Sequence, residues 1–417
     1  MKFKRRNFLQ LSALTAGSAL AVGFRSVWPE QEKYISQVPG ALPITLTERK
    51  DRIHRAQQLL QQNELNALVL ESGSSLEYFT GISWWPSERT MVVVIPSKGE
   101  PIYVCPAFEE SRLREKIIIG TQVYVWQEDE NPFELIAKVF TDLDIAAGKI
   151  GVAEDMRFFV FDGMRKAAPG LEYTSGDPVT IACRLIKSAA ELALMQKASD
   201  ITVAAMKTGM SLLKAGISQN AISDAVNEAH VKLGSTPDFA LVLFGKSSAL
   251  PHGSKHAEKL NTGDIVLMDC GCKLEGYSSD ITRTIVFGGN PTKRQQQFWD
   301  LEQQAQAAGF AAAQIGQPCE AVDNAARSVI VRGGLGPGYQ LPGLPHRTGH
   351  GIGLDGHEWG NMVKGNMLKL QPGMCFSIEP TIAIPGEFGV RMEDCVYMTD
   401  SGPKWFSEPA VSIDKPF

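Results

Sequence analysis

The stretch "GDIVLMDCGCKLEGYSSDITRTIVFG", residues 263–288, reads as a β-hairpin: two apolar runs meet at "KLEG", and each arm carries one aspartate in its middle. With a two-residue turn at Leu274-Glu275, Asp269 falls directly opposite Asp280, their Cβ atoms about 5 Å apart. Strand alternation sets Asp269 on the face of Leu267 and Gly271. Met268, Cys270 and Cys272 then point to the other face, so these cysteines are not expected to share a site with the aspartates. A second hairpin, "MCFSIEPTIAIPGEFGVRMEDCVYM" at 374–398, turns around Pro385-Gly386, with Glu379 and Glu393 equally far from Gly386. Arg391 shares the face of Glu393, placed to orient a ligand carboxylate or a substrate, or to form a surface salt bridge.

Four carboxylates brought together repel one another and raise each other's pKa unless cations neutralise them. Two divalent metals would do so, and bridging carboxylates suit a metal pair roughly 3.5–4 Å apart. A neutral imidazole would complete such a set. Three of the seven histidines lie in "HRTGHGIGLDGHE", 346–358, among glycines that no helix favours. The preceding "GGLGPGYQLPG", 333–343, lacks the ending of a phosphate loop and reads as a flexible loop leading to the histidines.

Outward from these hairpins the chain divides in two, as 417 residues with 44% hydrophobic content suggest. Residues 45–180 alternate helix and strand: a helix after the Thr45/Glu48 capping spacing, then strands at "LNALVLE", "MVVVIPS", "PIYVCP", "QVYVWQ" and "KIGVAED". Residues 181–417 open with two long amphipathic segments, each ending at glycine, before strands and helices mix as in an α+β domain. The fold class is therefore an α/β N-terminal domain followed by an α+β C-terminal domain. A net charge of −5, with no long basic run beyond the N-terminus, argues against nucleic acid and for a small-molecule or peptide substrate.

Residues 1–30, "MKFKRRNFLQLSALTAGSALAVGF" onward, combine a basic head with an apolar stretch too short to span a membrane comfortably, so no stable transmembrane segment is expected in the mature protein. Arg5-Arg6 followed by Phe8-Leu9 resembles a twin-arginine export signal, implying a periplasmic or secreted protein carried in folded form. An uncleaved anchoring N-terminus is the alternative. Residues 31–44 read as a linker. Seven cysteines, an odd number without paired spacing, are expected to be mostly small buried hydrophobes.

At "MDCG", "SSDITRT", "HRTGHGIGLDGHE", "SIEPTI" and "RMED" the chain resembles the pita-bread metallopeptidases, the family of prolidase, aminopeptidase P, creatinase and methionine aminopeptidase. The resemblance covers everything after residue 30 and implies a creatinase-like N-terminal domain with a pita-bread catalytic domain. It implies two divalent ions, with Asp269 chelating one, Asp280 and Glu393 bridging both, and His350 and Glu379 completing the other. Ligand hardness favours manganese over zinc, cobalt or iron. The prolidase and aminopeptidase P branch adds His252 in "LPHG", His346 and His357. The activity implied is hydrolysis of peptide bonds, Xaa-Pro bonds foremost, by a metal-bridging hydroxide. Glu379 would shuttle the proton, His252 and His357 would stabilise the intermediate or leaving group, and His346 would flank the substrate. Dipeptidase and aminopeptidase both remain open, as do a lyase or amidohydrolase of the same fold and a silent binding protein. The resemblance also implies a homodimer, with Trp84 or Trp85 of "LEYFTGISWWPSERT" as a pocket wall in the partner's site or as core of its own domain. His54, His230 and His256 match nothing and are expected at the surface.

Overall fold

The computed structural model describes residues 38–254 and 258–417. The export-signal segment and His256 lie outside them. The first sheet has six strands, in the order Val123–Trp126, Ile102–Pro106, Val92–Pro96, Leu65–Glu71, Gly148–Val152 and Leu171–Ser175. All five expected strands are in it, and Leu171–Ser175 is an additional edge strand that its polar sequence did not announce. The central strands are apolar on both faces because helices cover both. Leu68, Leu70, Val93 and Ile95 pack with Ile53, Ala56 and Leu60 of the helix Leu46–Gln62. Ala67, Val69, Val92 and Val94 pack with Ile136, Val139 and Phe140 of the helix Pro132–Asp142 on the opposite face.

Two sequence boundaries shift. Val38, Ala41 and Ile44, inside the expected linker, are buried against the first core because they are apolar and a core lies within reach. The helix Asp177–Arg184 runs across residue 180, where the domain boundary was expected. The same core also takes in Leu194, Met195, Leu274, Tyr277, Ile352 and Phe406, so the described residues pack as one unit. No helix among the described residues is long and apolar enough to cross a membrane.

In the C-terminal part, Ser188 and Glu191 close a capping box on the helix Ala189–Ser211, and Thr292 with Gln295 does the same for Lys293–Ala312. Each is followed by a second helix, Gln219–Lys232 and Glu320–Arg332. Between these helices lie a four-stranded sheet built on Thr236–Phe244, Ile265–Leu274 and Ile281–Val286, and a five-stranded sheet whose middle holds Gly349–Gly351, Cys375–Ile378 and Asp394–Thr399. The two hairpins read from sequence are both present and are joined by one antiparallel bridge, Thr282 to Glu393, with both N–H···O bonds at 3.2 Å.

Behind that bridge Arg283 and Asp394 form an ion pair at 2.7 Å, both side chains fully buried. Arg283 also donates to the carbonyls of Thr282, Glu393, Glu408 and Pro416, and Gln306 donates to the other Asp394 oxygen. Removing one partner would leave a buried charge uncompensated. Asp394→Ala is expected to lower stability by about 3–5 kcal/mol, measured from urea unfolding of the metal-loaded protein. A loss below about 1 kcal/mol, the value of a surface pair, would contradict this reading.

Candidate metal centre and active site

The first hairpin turns at Glu275-Gly276, with Leu274 paired to Tyr277 and φ of +50° and +85° at the two turn residues. Glycine at the second position accepts a positive φ that costs other residues more, so the turn sits one residue later than Leu274-Glu275. The register therefore slips by two residues, and Asp269 faces Thr282 rather than Asp280. A two-residue slip preserves side-chain parity, so both aspartates keep the same face. The second hairpin keeps its expected register: Ile378 pairs with Asp394 and Thr381 with Arg391, setting Glu379 across from Glu393.

Asp269, Thr282 and Glu393 thus lie side by side on three neighbouring strands, and Thr282 Oγ1 donates to Glu393 Oε2 at 2.8 Å. Arg391 donates through Nη2 to Asp269 and through Nε to Thr282 Oγ1, so it orients a carboxylate and is not a surface pair. Thr282, which sequence reading passed over, shares the face of Asp280 in "SSDITRT" and could have been found by the same alternation.

His350 lies on Gly349–Gly351, a short strand inside the five-stranded sheet. A Cβ on Gly349 would collide with the Ser377 carbonyl and one on Gly351 with that of Trp359, so both glycines permit close strand approach. His350 Nδ1–H donates to the Gly351 carbonyl at 3.0 Å. This leaves the Nε2 lone pair facing Glu379 Oε1 at 3.1 Å, Asp280 Oδ2 at 3.7 Å and Glu393 Oε1 at 4.0 Å. Ser377 links the same elements, receiving His350 N–H and donating to Glu379 Oε1.

Burial and mutual repulsion among the carboxylates push Asp280 and Glu393 well above the usual carboxylate range. Burial also raises Asp269, with Arg391 opposing it. Burial acts on Glu379 too, but His350 when it carries a second proton on Nε2, with the nearby His346 and Arg391, holds it low; a metal would take that proton's place. Asp269 Oδ1, Asp280 Oδ1 and Glu393 Oε1 are buried with no hydrogen-bond partner. Acceptors of this kind, crowded together without donors, fit divalent cations. Ligand atoms lie within 4.8 Å of one another in three groups: Asp269, Asp280 and Glu393; His350, Glu379 and Glu393; and Asp280, His350 and His357.

The third group needs His357 as a ligand, which its hydrogen bonding opposes. Arg347 Nη2 donates to His357 Nδ1 at 3.1 Å. Arginine only donates, so neutral His357 carries its proton on Nε2 and offers a donor there. Burial, with His350 and Arg347 nearby, lowers its pKa to about 4 and keeps it neutral. Its ring lies against that of His350, centroids 3.8 Å apart.

His346 is engaged at both nitrogens, Nδ1 with the Arg347 carbonyl at 2.7 Å and Nε2 with Thr381 Oγ1 at 2.9 Å, and burial lowers its pKa. His252 is exposed on the cavity wall. Together with Phe239, Leu241, Pro251, Pro345, Arg347 and the acidic cluster, these histidines enclose a cavity of about 860 Å³.

Asp323 and Arg327, also missed from sequence, clamp the chain here. Asp323 accepts from Thr348 N and Oγ1, and Arg327 donates to the carbonyls of Gly338, Leu344 and His346.

The other residues named from sequence fall away from this cavity. His54 is exposed, whereas His230 is fully buried, 3.1 Å from Thr202 Oγ1, because it continues the apolar stripe Ile222, Val226 of its helix. Trp84 packs against the N-terminal core under Arg112, and Trp85 is 82% exposed; neither lines the cavity. All seven cysteines are free and buried, with Cys270 and Cys272 behind the sheet as alternation required.

Comparison with known proteins closes the question of kinship. Residues 193–400 match the description of metallopeptidase family M24, and residues 52–186 match the creatinase/prolidase N-terminal domain. The chain is 31% identical over 363 residues to an Xaa-Pro dipeptidase of Lactobacillus helveticus, covering 85% of this chain and 96% of that one. It belongs to metallopeptidase family M24. Among solved structures it resembles dipeptidase PepE from Mycobacterium ulcerans, with a TM-score of 0.81, 32% identity and coverage of 88% of this chain and 97% of that one. A prolidase from Thermococcus sibiricus has a TM-score of 0.79 and 29% identity, covering 86% and 97%. The fold is thus the creatinase-type N-terminal domain joined to the pita-bread catalytic domain of the M24 peptidases, and the protein is a metallopeptidase.

Proposed function

We propose that the protein hydrolyses Xaa-Pro peptide bonds in short peptides at a pair of divalent metal ions. The observation that carries this is the convergence of five candidate ligand side chains, among which Asp269, Asp280 and Glu393 each keep one buried carboxylate oxygen without a donor. They fall into two overlapping sets that share Glu393: Asp269 with Asp280, and His350 with Glu379. Sharing supports two neighbouring ions, which Glu393 and Asp280, the latter 3.7 Å from His350 Nε2, would both help to hold. The all-oxygen character of the set apart from one imidazole favours manganese. Xaa-Pro specificity rests on the names of the relatives, an Xaa-Pro dipeptidase and a prolidase, and on a cavity of a volume that suits a short peptide.

When bound, the ions would polarise the scissile carbonyl and bring a water's pKa near neutrality. Glu379, steadied by Ser377, receives and returns the proton. His357 meets the developing negative charge with its Nε2–H, and His252 lies across the cavity for the leaving group. His346, tied at both nitrogens, shapes the wall beside the substrate.

The test is turnover of manganese-, zinc-, cobalt- and iron-loaded protein on Xaa-Pro dipeptides, Xaa-Pro-Xaa tripeptides and dipeptides lacking proline, with metal content measured on the same samples. Hydrolysis confined to the proline peptides and two ions per chain are expected. Equal rates on peptides without proline would refute the specificity, and full activity with one tightly bound ion would refute the paired site.

A further inference from the structure

The hairpin arm that carries Asp280 is interrupted at that residue. Pairing with Ile265–Leu274 runs through Tyr277–Ser278 and resumes in the same register at Ile281–Val286, leaving Ser279 and Asp280 between the two strands. A regular antiparallel pair exchanges both bonds from backbone to backbone. Here the Ser279 N–H donates to the Cys272 carbonyl at 2.9 Å, but the Cys272 N–H returns its bond to the Ser279 hydroxyl, at 3.1 Å. A side chain thus stands in for a ladder carbonyl. Gly271 leaves room for the displaced backbone, since a Cβ there would collide with the Ser279 carbonyl.

Ser279 is buried on the face away from the cavity, where its hydroxyl meets Thr202 Oγ1 of the helix Ala189–Ser211 at 2.8 Å. Thr202 Oγ1 in turn lies 3.1 Å from Nε2 of the fully buried His230 on the helix Gln219–Lys232. Burial lowers His230 to a pKa of about 4, so its ring is neutral and carries one proton. Its Nδ1 is buried with no hydrogen-bond partner among the described residues. A proton there would leave a buried N–H without an acceptor, an orphan that folded proteins avoid, so the proton sits on Nε2. The chain then runs one way: His230 donates to Thr202, Thr202 to Ser279, and Ser279 to the Cys272 carbonyl at 3.3 Å. Ser279 Oγ accepts twice and donates once, which uses its full capacity. Apolar side chains of the same shape could fill these positions at little cost in stability. A polar chain that leads to the residue beside Asp280 therefore points to a role beyond packing.

We propose that Ser279, held through Thr202 by His230, is the positioning residue for Asp280 and fixes the backbone that aims this carboxylate at His350 and Glu393. The inference rests on the paired-metal reading above. Asp280 Oδ1 is buried without a partner, so the aim of the carboxylate depends on its backbone. That backbone is held by Ser279 before it, by the Thr282–Glu393 bridge after it, and at its own carbonyl by the Cys395 thiol, which donates at 3.3 Å. Without the Ser279 hydroxyl the Cys272 N–H loses its acceptor, and the interrupted segment is free to turn Asp280 away from the other acids.

The experiment titrates manganese into the metal-free full-length protein by calorimetry, for wild type, Ser279→Ala, Thr202→Val and Thr202→Ser. Urea unfolding of the same metal-free samples reads stability separately. Ser279→Ala is expected to bind manganese about 10- to 100-fold more weakly, the range for groups that hold a metal ligand from behind. Thr202→Val, which keeps the side chain's shape and removes its hydroxyl, should weaken binding by less but in the same direction. Thr202→Ser restores the hydroxyl and should restore the affinity. A folded Ser279→Ala or Thr202→Val that loses urea stability but binds manganese as wild type does has lost only a core contact, and overturns the proposal. So does a Thr202→Ser that binds as weakly as Thr202→Val. Should Ser279→Ala fail to fold, the two Thr202 variants decide alone. A wild type that binds no manganese would bring down the paired-metal reading and this inference together, whereas tight wild-type binding matched by the variants overturns this inference alone.

Discussion

His350→Ala is expected to lose bound metal and more than about 10³ in kcat together, since the several kcal/mol of transition-state stabilisation from an ion convert to at least that factor. The side chain is buried, its Nδ1–H is held by the Gly351 carbonyl, and its Nε2 is the neutral donor atom among the surrounding acids. Without it, the centre loses its one nitrogen ligand, and the buried carboxylates of Asp280, Glu379 and Glu393 hold a cation less well and repel one another more. The check is elemental analysis of the dialysed variant beside its turnover, with circular dichroism to confirm folding. A folded variant that keeps its full metal content and activity would remove His350 from the centre.

His357→Ala is expected to separate chemistry from metal binding. The residue is seven positions further on and lies against His350, yet the bond from Arg347 to Nδ1 leaves it a donor at Nε2. A donor that meets charge arising in the transition state affects turnover more than ground-state binding. The variant should hold as much metal as wild type, lose about 10²–10³ in kcat, and change KM little. Release of an ion from His357→Ala would mean that the grouping of Asp280, His350 and His357 describes a true ligand set. Unchanged kcat would make it a bystander.

The gathering of the four acids was legible because strand alternation and spacing are local. Parity alone put Asp269 and Asp280 on one face and the cysteines behind it, and this survived a register error of two residues. The error came from the turn: Glu275-Gly276, with glycine at a positive φ, outweighs the earlier Leu274-Glu275 pair. His230 was misplaced because a histidine was read by its polarity, although its position four after Val226 and eight after Ile222 lies on the buried stripe of the helix.

Sequence by itself determined five of the six strands of the first sheet, the two acid-bearing hairpins, the faces their acids share and the kinship with the M24 peptidases. Tertiary structure alone decided how those faces meet. The Thr282–Glu393 bridge, the hold of Arg391 on Asp269 and the clamp of Asp323 and Arg327 on the histidine segment join residues far apart in the chain. Periodicity specifies which side of a strand is buried, but not which strand lies opposite it. An arginine's partner is whatever carboxylate the packed chain brings within reach.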